Sequence, residues 1–236
     1  MNDTHTTRRD EIAAGLAEVE RRIADACEAA GRARGEVTLV AITKTYPASD
    51  VRILAGLGVR DIGENRDQEA EPKAGDCADL PLTWHFVGQL QTNKARSVVS
   101  YADVIHSVDR ERLVGALSRE AVRAGRRLTC LVQVALGDEP GRGGVGPAGL
   151  APLADAIAGA EGLVLGGVMA VAPLGADPAP AFARLRELSA ALRADHPSAT
   201  VVSAGMSGDL AEAIAYGATH VRVGTALLGR RKPFVR

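Results

Sequence analysis

Eight short apolar runs rich in β-branched residues alternate with longer amphipathic stretches along this 236-residue chain, and that alternation limits its fold more than any other feature. The runs are 37–43 (VTLVAIT), 60–63 (RDIG), 83–87 (TWHFV), 104–107 (VIHS), 128–135 (LTCLVQVA), 163–171 (LVLGGVMAV), 201–204 (VVSA) and 220–224 (HVRVG). Near-continuous apolar runs of this kind suit parallel strands covered on both faces. Helical spacing lies between them. Ile12, Leu16, Val19 and Ile23 make one stripe, with Gly31 as its stop. Leu113 and Leu117 mark a helix after Asp109, and Phe182, Leu185, Leu188 and Leu192 mark another that ends before Pro197. A last helix is expected from near Ser207 to about Tyr216, stopped by Gly217.

Eight strands alternating with helices in this length predict one α/β domain, a (β/α)8 TIM-type barrel with an extra N-terminal helix. No helix is expected after the eighth strand, where only GRRKPFVR remains, and the helix at 8–30 is expected to cover that gap. An open doubly wound sheet is the rival fold. Residues 1–9 and 231–236 read as flexible ends, and the basic tail with Arg230, Arg231, Lys232 and Arg236 reads as solvated.

Composition narrows the partners. Lys plus Arg number 28 against 29 Asp plus Glu, which argues against nucleic acid or an anionic membrane as the main partner. Aromatic residues are 3% of the chain, too few for a base-stacking surface. No apolar run is long enough to span a bilayer, and MNDTHTTRRDE lacks the core of a secretory signal. Three widely spaced cysteines, Cys27, Cys77 and Cys130, fit reduced thiols in a cytoplasmic protein.

In a barrel of this kind, reactive groups collect where strands end. Lys44 follows the first run, Gly63-Glu64-Asn65 the second, Ser107-Val108-Asp109 the fourth, Met169 the sixth, and Gly205-Met206-Ser207-Gly208-Asp209 the seventh. The third run carries His85, and the eighth carries Arg222 and runs into Gly224-Thr225. A partly desolvated lysine can lose its proton and attack an aldehyde to form a Schiff base. The plainer reading is a lysine reaching solvent or pairing with Glu64. The glycine-rich segment after the seventh run is an anion cradle or a simple cap with Ser207 at the helix start. The Gly224-Thr225 turn favours a phosphate, because such sites form after strands seven and eight. Arg222 needs a partner inside a barrel: a carboxylate such as Asp209 or Glu64, or a cofactor ring nitrogen. His85 and His106 are either satisfied core residues or catalytic ones. No metal spacing and no Gly-x-Ser-x-Gly elbow occurs.

The segments LVAITKTYP, DIGENRDQE, WHFVGQLQTNK, HSVDR, GVMAVAP, GMSGDLAEAI and HVRVGTALLGRR, in this order, make the chain similar to the pyridoxal phosphate homeostasis proteins. That family carries pyridoxal 5'-phosphate (PLP) on a barrel like the N-terminal domain of alanine racemases. The resemblance implies that Lys44 holds PLP as a Schiff base and that Ser207, Gly208, Gly224 and Thr225 bind its phosphate. It also implies that Arg222 approaches the pyridine nitrogen and that Asn65, His85 and Met206 line the pocket, with Met169 near the ring. Tyr46, Asp67 and the glycine-rich loop 137–146 with Arg142 depart from the family pattern.

The function implied is storage, buffering or delivery of PLP by a monomer, with apo PLP-enzymes as receivers. An arginine at the ring nitrogen argues against transamination. The alternative is a PLP-dependent amino-acid racemase or lyase. Related racemases take a second base from an additional domain, and only twelve residues follow Gly224 here. A barrel enzyme acting on a sugar phosphate, with Lys44 and His85 as acid and base, is a third reading; it expects a protein that binds phosphate esters without PLP.

Overall fold

Thr7 starts the first helix by a reciprocal cap. The Asp10 N–H donates to the Thr7 hydroxyl at 3.2 Å, and the Thr7 N–H donates to the Asp10 carboxylate at 3.0 Å. This satisfies donors that a first helical turn otherwise leaves without partners. The structure is a computed structural model and describes residues 7–137, 143–173 and 175–229. Of the expected flexible end at residues 1–9, residues 1–6 lie outside the described residues, and Thr7 caps the helix in which Arg8 and Arg9 lie. The tail from Arg230 and residues 138–142 of the glycine-rich loop, with Arg142, lie outside the described residues.

The chain runs α1 (Arg8–Ala29), β1 (Thr38–Ile42), α2 (Ala48–Gly56), β2 (Asp61–Glu64), α3 (Asp67–Asp76), β3 (Thr83–Phe86), α4 (Ala95–Tyr101) and β4 (Val104–Val108). It continues through α5 (Glu111–Ala124), β5 (Leu128–Gln133), α6 (Leu150–Ala158), β6 (Leu163–Met169), α7 (Ala179–Asp195), β7 (Val201–Ser203), α8 (Leu210–Ala215), β8 (His220–Val223) and α9 (Thr225–Leu228). Each strand pairs in parallel with the next, and β1 pairs with β8, so the sheet closes into a barrel and the open-sheet alternative falls. The expected strands agree with the observed ones to within two residues at each end.

Two helix expectations are corrected. The last long helix begins at Leu210 rather than near Ser207, because residues 207–209 form a turn. A short helix, α9, does follow the eighth strand. The extra N-terminal helix has its expected role: Ile12, Val19 and Ile23 are fully buried, and α1 packs against α2, α8 and α9.

Side chains alternate across each strand. Val221 and Val223 join the apolar layer beneath α1 and α2, so His220 and Arg222 project into the barrel. Val202 and Ala204 join the layer beneath the later helices, so Ser203 projects inward. By the same alternation Trp84 and Phe86 point outward and His85 inward. Burial of the outer layer, such as Leu113 and Leu117 of α5, stabilises the fold by about 1.5–3 kcal/mol per side chain. Cys27, Cys77 and Cys130 are free and buried. Among the described residues no helix is long and apolar enough to cross a membrane, and no cluster of His, Cys, Asp or Glu could hold a metal ion.

Candidate functional site

Lys44 lies two residues past the end of β1, and the backbone on both sides of it is fixed. The Thr43 hydroxyl donates to Glu64 Oε1 at 2.6 Å, and the Thr43 carbonyl accepts from Lys73 Nζ at 2.8 Å. The Thr45 N–H donates to Glu69 Oε2 at 3.0 Å. Thr45 has φ +71°, the left-handed region that a β-branched residue rarely enters. Such a conformation costs on the order of 1–3 kcal/mol and persists only where the surroundings enforce it. Glu64, Glu69 and Lys73 are those surroundings.

The Lys44 side chain itself is exposed and makes no ion pair among the described residues. The expectation of partial desolvation is thereby corrected; of the plainer reading, a lysine reaching solvent is what the structure shows, while its pairing with Glu64 is corrected. The buried lysine at this rim is Lys73, 7% exposed and paired with Glu64. Burial pushes the Glu64 carboxyl above its ordinary pKa, against the opposing hydrogen bonds from Lys73 and Thr43.

The register places the β8 end against the β1 end. Ala41 pairs with Val223, and a Cβ at Gly224 would lie 3.1 Å from the Ile42 carbonyl oxygen. A side chain there would push the β1 end away by a few tenths of an ångström, so glycine suits this close approach. Next in the barrel, β7 leads into Gly205, whose φ of +88° makes the turn that carries Met206, Ser207 and Gly208. The Asp209 carboxylate accepts from the Met206 N–H at 2.6 Å, so Asp209, not Ser207, tightens this turn. Arg22 of α1 donates to the Ser207 carbonyl at 2.7 Å and holds the turn from outside. Open space surrounds Gly208, while Thr225 is exposed at the start of α9. Lys44, Ser207, Gly208, Gly224 and Thr225 therefore share one rim.

Arg222 lies below that rim. It donates through Nη1 to Ser203 Oγ at 2.6 Å and through Nη2 to the Ala170 carbonyl at 2.9 Å. Neither Glu64 nor Asp209 bonds to it. Burial lowers its pKa to about 10, which still leaves it charged at neutral pH. His85 is not alone: its Nδ1 meets His106 Nε2 at 2.8 Å and its Nε2 meets Asp61 Oδ1 at 3.0 Å. Both ring nitrogens of His85 are thus committed within the barrel. Met169 is buried at the end of β6, and Met206 is half-buried. Asn65 Oδ1 and Ser107 Oγ are buried without hydrogen-bond partners, the condition of acceptors and donors left for a polar ligand. The glycine turns after β7 and β8, an exposed amine and the unsatisfied Asn65 oxygen after β2 lie at one end of the barrel and fit a phosphorylated ring with an aldehyde.

Sequence reasoning missed Lys73, Glu69 and Arg22. The signal for Lys73 was its place on one helical stripe with Ala70 and Ala74, all buried.

A family model described as the alanine racemase N-terminal domain matches residues 16–232. A pyridoxal phosphate homeostasis protein of Mycobacterium bovis is 44% identical, covering 95% of each chain. The PipY protein of Synechococcus elongatus, solved with PLP bound, is 38% identical with a TM-score of 0.81, covering 92% of this chain and 100% of that one. Alanine racemase of Corynebacterium glutamicum, at 15% identity and a TM-score of 0.70, shares the barrel across 97% of this chain and 62% of its own. With matches of this extent at both levels, sequence and fold, the chain belongs to the pyridoxal phosphate homeostasis protein family.

Proposed function

We propose that this chain binds PLP as a Schiff base on Lys44 and serves intracellular PLP homeostasis as a cytoplasmic monomer, storing the cofactor, buffering its free level or delivering it to apo PLP-enzymes. The observation that carries this reading is the contact of the β1 and β8 ends. It sets the chain just before the exposed Lys44 beside the Gly224-Thr225 turn, and the Ser207-Gly208 turn follows the neighbouring strand β7.

When bound, PLP supplies an aldehyde that condenses with an amine, releasing one water, and a ring that can withdraw electrons. Among the described residues Lys44 has no competing ion pair. Ser207, Gly208, Gly224 and Thr225 offer backbone N–H and hydroxyl donors for a phosphate. Arg222 presents a cation where a transaminase-like site presents a carboxylate. A donor at the ring nitrogen leaves that nitrogen unprotonated and weakens electron withdrawal, which favours holding the cofactor over turning substrates over. Asn65, Met206 and Met169 would line the ring, with His85 anchored beneath it.

Borohydride reduction of the PLP-treated protein, followed by peptide mapping, tests the reading. One pyridoxyl-modified peptide containing Lys44 is expected, and Lys44→Ala is expected to lose both the label and the visible absorbance band. Label on another lysine, or a colourless protein that takes up no PLP, would overturn it.

A further inference from the structure

Four hydrogen bonds run from Arg222 through the barrel interior to Asp61 of β2. Arg222 Nη1 meets Ser203 Oγ at 2.6 Å, and Ser203 Oγ meets His106 Nδ1 at 2.9 Å. His106 Nε2 meets His85 Nδ1 at 2.8 Å, and His85 Nε2 meets Asp61 Oδ1 at 3.0 Å. Arg222, Ser203, His106 and His85 are all buried, while the Asp61 side chain is 27% exposed at the start of β2.

The direction of each bond follows from which groups can donate. A guanidinium only donates, so Ser203 Oγ accepts from Arg222. The Ser203 hydroxyl hydrogen then has one acceptor among the described residues, His106 Nδ1, and leaving a buried hydroxyl unsatisfied costs about 1–3 kcal/mol. With Nδ1 accepting, a neutral His106 carries its proton on Nε2 and donates to His85 Nδ1. His85 in turn carries its proton on Nε2 and donates to the Asp61 carboxylate. Every bond points the same way, from the cation at one end to the anion at the other. Burial, together with the nearby His85, Arg222 and His220, pushes the His106 pKa well below its ordinary value, in keeping with a neutral ring.

We propose that Ser203, His106, His85 and Asp61 are positioning residues that form one directional relay, holding the Arg222 guanidinium in the orientation in which it meets the ring of bound PLP. The proposal rests on the PLP-binding reading above. It assigns to buried residues, remote from the rim, control over how tightly the cofactor is held. Ala170 supplies the second anchor, but a single carbonyl leaves the guanidinium free to pivot about that bond. Ser203 removes the pivot.

Proton–nitrogen correlation NMR of the full chain without PLP reads the relay directly. Both His85 and His106 are expected as neutral rings protonated at Nε2, with assignments made from His85→Gln and His106→Gln. A charged His85, or His106 protonated at Nδ1, would overturn the relay whether or not PLP binds. Ser203→Ala then removes the link to Arg222. In a variant whose thermal unfolding remains cooperative, PLP is expected to bind about tenfold more weakly, with an altered visible band. The His106 Nδ1 resonance is also expected to move. Unchanged PLP affinity in a folded Ser203→Ala protein would overturn the positioning role. Failure of the unaltered protein to bind PLP would instead count against the functional reading, leaving the NMR result to judge the relay.

Discussion

Lys44 and Lys73 show how two residues of one type at one rim take different roles. Lys44 is exposed and makes no ion pair among the described residues, whereas Lys73 is buried on Glu64 and on the Thr43 carbonyl. Position at the end of an apolar run identified Lys44. The burial expected for it falls on Lys73, thirty residues from Thr43 in sequence and brought there by α3. Removing one member of a buried ion pair leaves the other charge without compensation, typically at about 3–5 kcal/mol. Lys73→Met is therefore expected to lower stability by about that amount, and Lys73→Met with Glu64→Gln to recover much of it, measured by urea denaturation. Equal losses in the single and double variants would refute the pairing argument.

At the scale of elements, legibility followed periodicity. The stripe of α1 and the spacing of Leu113 and Leu117 in α5 announced their helices, because a long apolar face repeats locally in the chain. α9 has four residues, too few to show a period, and the DQEAEPKAGD of α3 carries charges and a proline where an apolar stripe would be read. The turn before α8 was read as a helix start because Ser207 resembles a cap, yet the Asp209 carboxylate does the bonding. Helix ends also give a clean test. Gly125 closes α5 at φ +62°, and a Cβ there would meet nothing within 4 Å. Gly125→Ala is thus expected to cost about 1–2 kcal/mol of stability through backbone conformation alone, with the fold's spectroscopic signature unchanged. A stability loss well above that range would point to packing.

Over the whole molecule, the barrel interior makes stability depend on acid. His106 is held well below its ordinary pKa and His220 near 4, chiefly by burial, with the Arg222 charge nearby adding repulsion. Asp61 opposes this at His220. An unfolded chain takes up protons on these rings near pH 6.5, while the folded barrel resists until far lower. Their contribution is therefore fully present above about pH 6.5 and is lost as pH falls toward and below 4. Denaturant midpoints are expected to fall between pH 7 and pH 5, and to fall less steeply in His220→Gln. Equal slopes in the two proteins would contradict a neutral, buried His220.

The apolar alternation by itself determined the strands, their number and the parallel α/β class, because hydrophobic periodicity is a property of neighbouring residues, while the choice of a barrel over an open sheet came from the pairing of β1 with β8. It also brought forward Lys44, Ser207, Arg222 and Gly224, because residues that end a strand can be counted along the chain. Which side chains touch was decided only by closure of the barrel. His85 meets His106 across 21 residues and Arg222 meets Ser203 across 19, since both pairs depend on the register between separate strands. That register is set by the fit of all eight strands and the layer of helices around them, and no single segment encodes it.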